Sequence, residues 1–270
     1  MDVKQLNEKA NNVRKHIINM LTQAGSGHPG GSLSSVDILV GLYFNYMKHN
    51  PKEPLWDERD LFILSKGHGC PALYSVLAES GYFDTKELIT LRKLGSRLQG
   101  HPAGQLREIG IEMSSGSLGH GLSVAVGAAI GIRCRKQNRR VYCLMSDGEQ
   151  QEGSVWEAAM AAGHFKLDNL CAIIDYNNLQ IDGEVENIMG VKPLEDKYKS
   201  FRWEVIMVDG HDIKELIESY KKAESTKKKP TIIIANTIKG KGISFMENVV
   251  GWHGKTPSQE AANKALNELK

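Results

Sequence analysis

Cysteine is scarce in this chain, and the few present lack metal-ligand spacing. The four, Cys70, Cys134, Cys143 and Cys171, lie far apart along 270 residues. Neither a zinc motif nor a disulfide framework can be built from them. Cys143 and Cys171 fall inside apolar runs and read as small buried hydrophobes, and a reducing, cytoplasmic compartment is expected. Excess charge is also missing. A formal net charge of +2 leaves no electrostatic footprint for nucleic acid or for a membrane surface, so neither is expected as a partner. The short cluster Lys227-Lys228-Lys229 before Pro230 reads as a solvated loop. No run approaches the length of a membrane span, and Met1-Asp2-Val3-Lys4-Gln5 carries no apolar signal core. What remains is a soluble globular composition, 41% hydrophobic and 24% charged, with enough chain to bury a full core.

Apolar periodicity divides the chain without an obvious linker, and one domain over residues 1–270 is expected. Helical spacing covers roughly residues 3–24, 35–47, 69–80 and 85–95, with a glycine-rich joint at Gly25-Ser26-Gly27-His28-Pro29-Gly30-Gly31. A first strand is expected at Asp60–Ser65 and a long small-residue helix from about Leu118 to Gln137. Val141–Met145 reads as a buried strand ending at Ser146, Ser154–Phe165 as a helix, and Leu170–Ile174 as the next strand. Trp203–Val208 and Thr231–Ala235 are apolar and β-branched, with a helix between them that Asp212 can cap, and Ala261–Lys270 reads as a terminal helix. Strands about thirty residues apart with helices between them predict an α/β fold: a parallel sheet with helices on both faces and a helical N-terminal portion.

The most informative segment is Ser146-Asp147-Gly148-Glu149, with Asn177-Asn178 thirty positions beyond Asp147. Strand, helix, strand is the length of one parallel crossover, so Asp147 and Asn177 should emerge at the same sheet edge. That edge is where open α/β sheets bind ligands. A carboxylate and an amide oxygen there suit a hard divalent cation holding a phosphate or diphosphate. Gly148 lets the backbone approach the anion, and the helix that follows offers its N-terminal N–H groups. Taken alone, Asp-Gly after a strand is also a common turn.

Several of the nine histidines share one setting. His28 lies in Ser26-Gly27-His28-Pro29-Gly30, His68 in Lys66-Gly67-His68-Gly69, His101 in Gln99-Gly100-His101-Pro102 and His253 in Gly251-Trp252-His253-Gly254. Glycine or proline on one or both sides puts each imidazole on a loop, where it can bind hydroxyls or phosphate and pass protons. Each alone reads better as a surface or capping histidine.

Together these motifs resemble the N-terminal, thiamine diphosphate-binding part of transketolase. The resemblance runs from the His28 motif to Trp252-His253-Gly254 and includes Leu64-Ser65-Lys66-Gly67-His68, Gly116-Ser117-Leu118-Gly119, Gln151-Glu152-Gly153 and Asn177–Gly183. It implies the thiamine diphosphate-binding fold, with Asp147, Asn177 and the Leu179 carbonyl holding Mg²⁺ or Ca²⁺. Gly148, Glu149, His68 and His253 would contact the cofactor, and Gly116, Ser117 and Leu118 would sit by its aminopyrimidine. His28, His68, His101 and His253 would line the substrate channel, and Glu152 would join a carboxylate network across a dimer. Ser146 stands where the family usually has Gly, Ser117 where Pro is frequent, and His120 where Gln is common.

The reaction implied is transfer of a two-carbon ketol unit from a ketose phosphate to an aldose phosphate, as in the pentose phosphate pathway. Related activities on another ketose or a 2-oxoacid, or a non-catalytic scaffold role, are the alternatives. Transketolases carry a further domain with the glutamate that activates the cofactor. The resemblance therefore predicts that the partner is a separately encoded C-terminal transketolase subunit, in an α2β2 heterotetramer.

Overall fold

The structure, a computed structural model, describes residues 1–269. Helix α1 (Val3–Ala24) starts at a reciprocal cap, in which the Asp2 carboxylate takes the Gln5 N–H and the Gln5 side chain returns to the Asp2 backbone. It buries Leu6, Ala10, Val13, Ile17 and Leu21 at helical spacing and ends at Gly25, whose φ of 63° closes the last turn. The glycine-rich joint turns out to be half helical: α2 (Pro29–Ser34) begins at Pro29, the position where proline's missing N–H costs nothing. Then come α3 (Val36–Gly41) and a wider turn, Leu42–Tyr46.

Five parallel strands follow: β1 (Leu61–Leu64), β2 (Val141–Ser146), β3 (Leu170–Tyr176), β6 (Glu204–Asp209) and β7 (Thr231–Asn236). Between β3 and β6 the chain forms a small hairpin, β4 (Leu179–Gln180) and β5 (Gly183–Glu184), and two short helices, α7 (Val185–Met189) and α8 (Leu194–Ser200). Those pieces are too short for a sequence period to reveal them. The remaining helices are α4 (Cys70–Ser80), α5 (His120–Cys134), α6 (Gly153–His164), α9 (Ile213–Ser225) and α10 (Gln259–Glu268). Asp212 caps α9 as expected, accepting from the N–H groups of Lys214 and Glu215.

The sheet order is β1-β2-β3-β7-β6. Alternate residues face opposite layers. Phe62, Leu64, Tyr142, Leu144 and Ile173 pack under the N-terminal helices and α9. Ile63, Val141, Cys143, Met145 and Ile174 pack under α5, α6 and α8. Both faces of the central strands are therefore apolar, as a covered parallel sheet requires.

One expected element is corrected. Residues 85–95 do not form a regular helix: Asp84 caps a single tight turn, Thr85–Thr90, and Arg92 and Gly95 then take positive φ values of 61° and 80°. Only Leu88 of that turn is buried, so nothing repays a longer helix.

Candidate active site

The register puts the strand ends level. Ser146 pairs with Asp175, and Asp175 with Ala235, so β2, β3 and β7 reach the same edge. The residues just beyond them, with those after β1, enclose a cavity of about 350 Å³. Asp147, Asn177 and Leu179 all line it, and the two side chains expected to meet there do.

Asp147 is 1% exposed. One carboxylate oxygen accepts the Gly148 N–H at 2.8 Å and the other accepts the Asn178 N–H. Asn178 reaches that position with φ of 62°, a left-handed conformation that asparagine tolerates. Burial, then the nearby Asp175, pushes the Asp147 carboxyl up to about 6. Asn177 donates its amide N–H to Asp175 at 3.2 Å, which turns Oδ1 toward the Leu179 N–H at 3.1 Å. Among the described residues no three His, Cys, Asp or Glu side chains converge on a metal position. One carboxylate plus amide and carbonyl oxygens would hold a hard cation only with a ligand that brings further oxygens.

Two buried lysines, not singled out in the sequence, complete the floor. Lys66 Nζ donates to Asp175, to the Gly31 carbonyl at 2.8 Å and to Ser35 Oγ at 2.9 Å. Lys239, 2% exposed, reaches the Leu179 carbonyl at 3.0 Å and His253 Nδ1 at 2.7 Å. Burial, then repulsion from Lys66, lowers the Lys239 ammonium to about 8. Their sequence signals were Lys66 inside the His68 motif and Lys239 three residues after the end of β7.

The four loop histidines come together. His28 lies 5.3 Å from His68, 5.4 Å from His253 and 6.4 Å from His101 between ring centroids, and His68 lies 5.4 Å from His253. Burial first, then Arg92, lowers His28 to about 4; burial, then Lys239, lowers His253 to about 3. His68 and His101 move in the same direction, burial again leading. Near neutrality the cluster is a set of uncharged donors and acceptors. His28 Nδ1 is buried with no partner in the protein, an atom left for a ligand.

Gly116, Leu118, Gly148 and Glu152 line the same cavity, as do Ser146, Gln151, Gln180, Ile181 and Asp182. Gly116 has φ of 143°, and a Cβ on Gly67 would stand 2.7 Å from its backbone nitrogen. The two loops touch there because Gly67 has no side chain. Ser117 and His120 are exposed and are not among the lining residues. Glu149 does not line the cavity either. Fully buried, it accepts from the Ser65 hydroxyl, the Gly119 N–H at 2.7 Å and the Ser146 N–H at 3.1 Å, tying three loop segments together. The site thus offers oxygen ligands beside two ammonium groups and a row of neutral imidazoles, which fits a diphosphate carried with a divalent cation.

The profile described as "Transketolase, thiamine diphosphate binding domain" matches residues 6–269. The chain is 44% identical to a 6-deoxy-6-sulfo-D-fructose transketolase subunit of a Clostridium species, over 98% of this chain and 96% of the relative. It is 41% identical to an apulose-4-phosphate transketolase subunit of Phocaeicola vulgatus, over 100% of this chain and 95% of that one. Against the longer transketolases it spans less than half: the crystal structure from Campylobacter jejuni superposes with a TM-score of 0.93 at 34% identity, covering 100% of this chain and 43% of the other.

Proposed function

This chain belongs to the family of transketolase thiamine diphosphate-binding domains, and from that membership we propose that it is the cofactor-binding subunit of a split transketolase. The observation that carries the reading is the shared cavity of Asp147, Asn177 and Leu179 with the four loop histidines. Asp147, Asn177 and the Leu179 carbonyl would hold Mg²⁺ or Ca²⁺, and Lys66, Lys239 and Gly148 would face the diphosphate. Gly116 and Leu118 would face the aminopyrimidine. When bound, thiamine diphosphate supplies the electron sink for breaking and forming a carbon–carbon bond.

The protein's own share is orientation and proton movement. His28, His68, His101 and His253, being neutral, hydrogen-bond the hydroxyls of a ketose phosphate or aldose phosphate without trapping its phosphate. An anion beside Lys239 offsets the positive neighbour that depresses His253, raising that imidazole toward the range of a working base. Glu152, exposed at the rim, would meet a second protomer.

Relatives named as transketolase subunits, which this chain matches over 95% and 96% of their lengths, support a separately encoded partner. That C-terminal subunit would bring the activating glutamate and the phosphate-binding arginines, in an α2β2 heterotetramer in the cytoplasm, working in the pentose phosphate pathway or on a related sugar. Among the described residues no helix is long and apolar enough to cross a membrane.

Co-expression with the partner, followed by a ketose phosphate–aldose phosphate assay, tests the reading. Ketol transfer is expected from the pair and not from this chain alone. Transfer by the isolated chain, or decarboxylation of pyruvate by the pair instead, would overturn it.

A further inference from the structure

A second polar cavity lies at the opposite edge of the sheet. Also about 350 Å³, it opens where β1, β2 and β3 begin, lined by Asp60, Arg139, Tyr142 and Asn169 among others. Tyr142 is the second residue of β2 and Asp147 directly follows its end. At about 3.3 Å per residue the two sites stand about 17 Å apart. Nothing in the proposed chemistry uses this second cavity.

Its distinguishing feature is unspent hydrogen bonding. Among the described residues seven buried side-chain atoms have no partner, and four of them belong to its lining: Arg140 Nε, Tyr142 Oη, Asn169 Oδ1 and Gln137 Oε1. Three of these side chains are fixed by their other polar atoms. Arg140 donates to the carbonyls of Asp168 at 3.1 Å and Ala223 at 3.0 Å. Asn169 Nδ2 donates to the Ala129 carbonyl at 3.0 Å, and Gln137 Nε2 to Asp57 at 2.9 Å. Tyr142 is 1% exposed and set in β2 against Tyr220. The free atoms are thus held in place, and buried polar groups in folded proteins are ordinarily satisfied.

The four atoms form a mixed set. Arg140 Nε–H and the Tyr142 hydroxyl donate; the Asn169 and Gln137 amide oxygens accept. The wall is basic on balance, with three arginines and two lysines against two aspartates and one glutamate. Donors within a positive wall call for an anionic oxygen, and fixed acceptors beside them call for hydroxyl groups on the same molecule. The volume equals that of about twelve waters at about 30 Å³ each, enough for a small organic anion.

We propose that this cavity is a second ligand site, separate from the cofactor cleft, for a small phosphorylated or carboxylated molecule that also carries hydroxyl groups. The recognition residues are Arg140, Tyr142, Asn169 and Gln137. The site stands on its own lining and does not rest on the transketolase reading.

Glycerol 3-phosphate, titrated calorimetrically into the full chain, tests it, with inorganic phosphate and glycerol as controls. Saturable binding is expected, unchanged in Asp147→Ala, whose altered residue lines only the other cavity. Tyr142→Phe removes a hydroxyl that has no partner in the protein, so the fold is kept, and binding should weaken about tenfold, the worth of one hydrogen bond to a charged group. Asn169→Asp, which sets a negative charge in the wall, should weaken it as well. The absence of saturable binding overturns the proposal. So does equal affinity in wild type and Tyr142→Phe, or inorganic phosphate binding as tightly as glycerol 3-phosphate, which would mean an adventitious ion only.

Discussion

Lys66 and Asp175 form a salt bridge that solvent does not reach, their side chains being 1% and 0% exposed. Burial alone would raise the Asp175 carboxyl, but the Lys66 ammonium beside it, with donors from Lys66, Ser34 and Thr237, brings it below its ordinary value. Asp175 also receives the Asn177 amide, so one sealed pair sets how a metal-site amide faces the cleft. It ties that amide to Gly31 in α2 and to Ser35 at the junction of α2 and α3 as well.

Breaking this pair should be costly. Lys66→Met leaves an uncompensated buried carboxylate and is expected to lower stability by about 3–5 kcal/mol. Adding Asp175→Asn should restore part of the loss, because no charge is then stranded. Urea denaturation of the wild type, Lys66→Met and the double variant measures both effects; a single-variant loss under about 1 kcal/mol is what an exposed ion pair would give and would contradict the burial seen here.

Asp147→Ala removes the only carboxylate among the three oxygen ligands proposed for the cation. The remaining amide and carbonyl oxygens cannot offset dehydration of a divalent ion. Calorimetric titration with thiamine diphosphate and Mg²⁺ should show no metal-dependent binding, with the fold retained by circular dichroism. Unchanged affinity would rule out this metal position.

Acid should weaken the folded chain through the histidine cluster. In the unfolded chain His28 and His253 take protons as pH falls through 6.5, whereas in the folded chain they hold off until about 4 and about 3. Between those limits the unfolded state binds more protons, so stability declines as pH falls from about 6.5. Denaturation midpoints at about pH 7 and about pH 5 should differ, and the difference should shrink in the His28→Gln/His253→Gln double variant. An equal pH dependence in both proteins would show that the imidazoles titrate normally.

The fold was legible because buried parallel strands are continuous apolar runs and the helices between them keep their period. The site was legible where chemistry and sequence spacing coincide, as with Asp147, Asn177 and the four glycine-flanked histidines. Lys66 was harder to read: a lysine is expected at the surface unless paired, and its partner lies 109 positions away. Asp175 was hidden for a related reason. It belongs to β3 itself, beyond the last apolar residue of the run. Glu149 follows Gly148 and reads in sequence like a cofactor contact, but the tight turn Gly148–Gln151 rotates successive side chains by about 120°, which sends it inward.

The flush alignment of β2, β3 and β7 restricts where this chain can gain or lose residues. A single-residue insertion or deletion inside β2 would shift Asp147 by about 3.3 Å and turn alternate side chains to the opposite layer. This ligand-binding edge can keep its spacing only while the three central strands keep theirs.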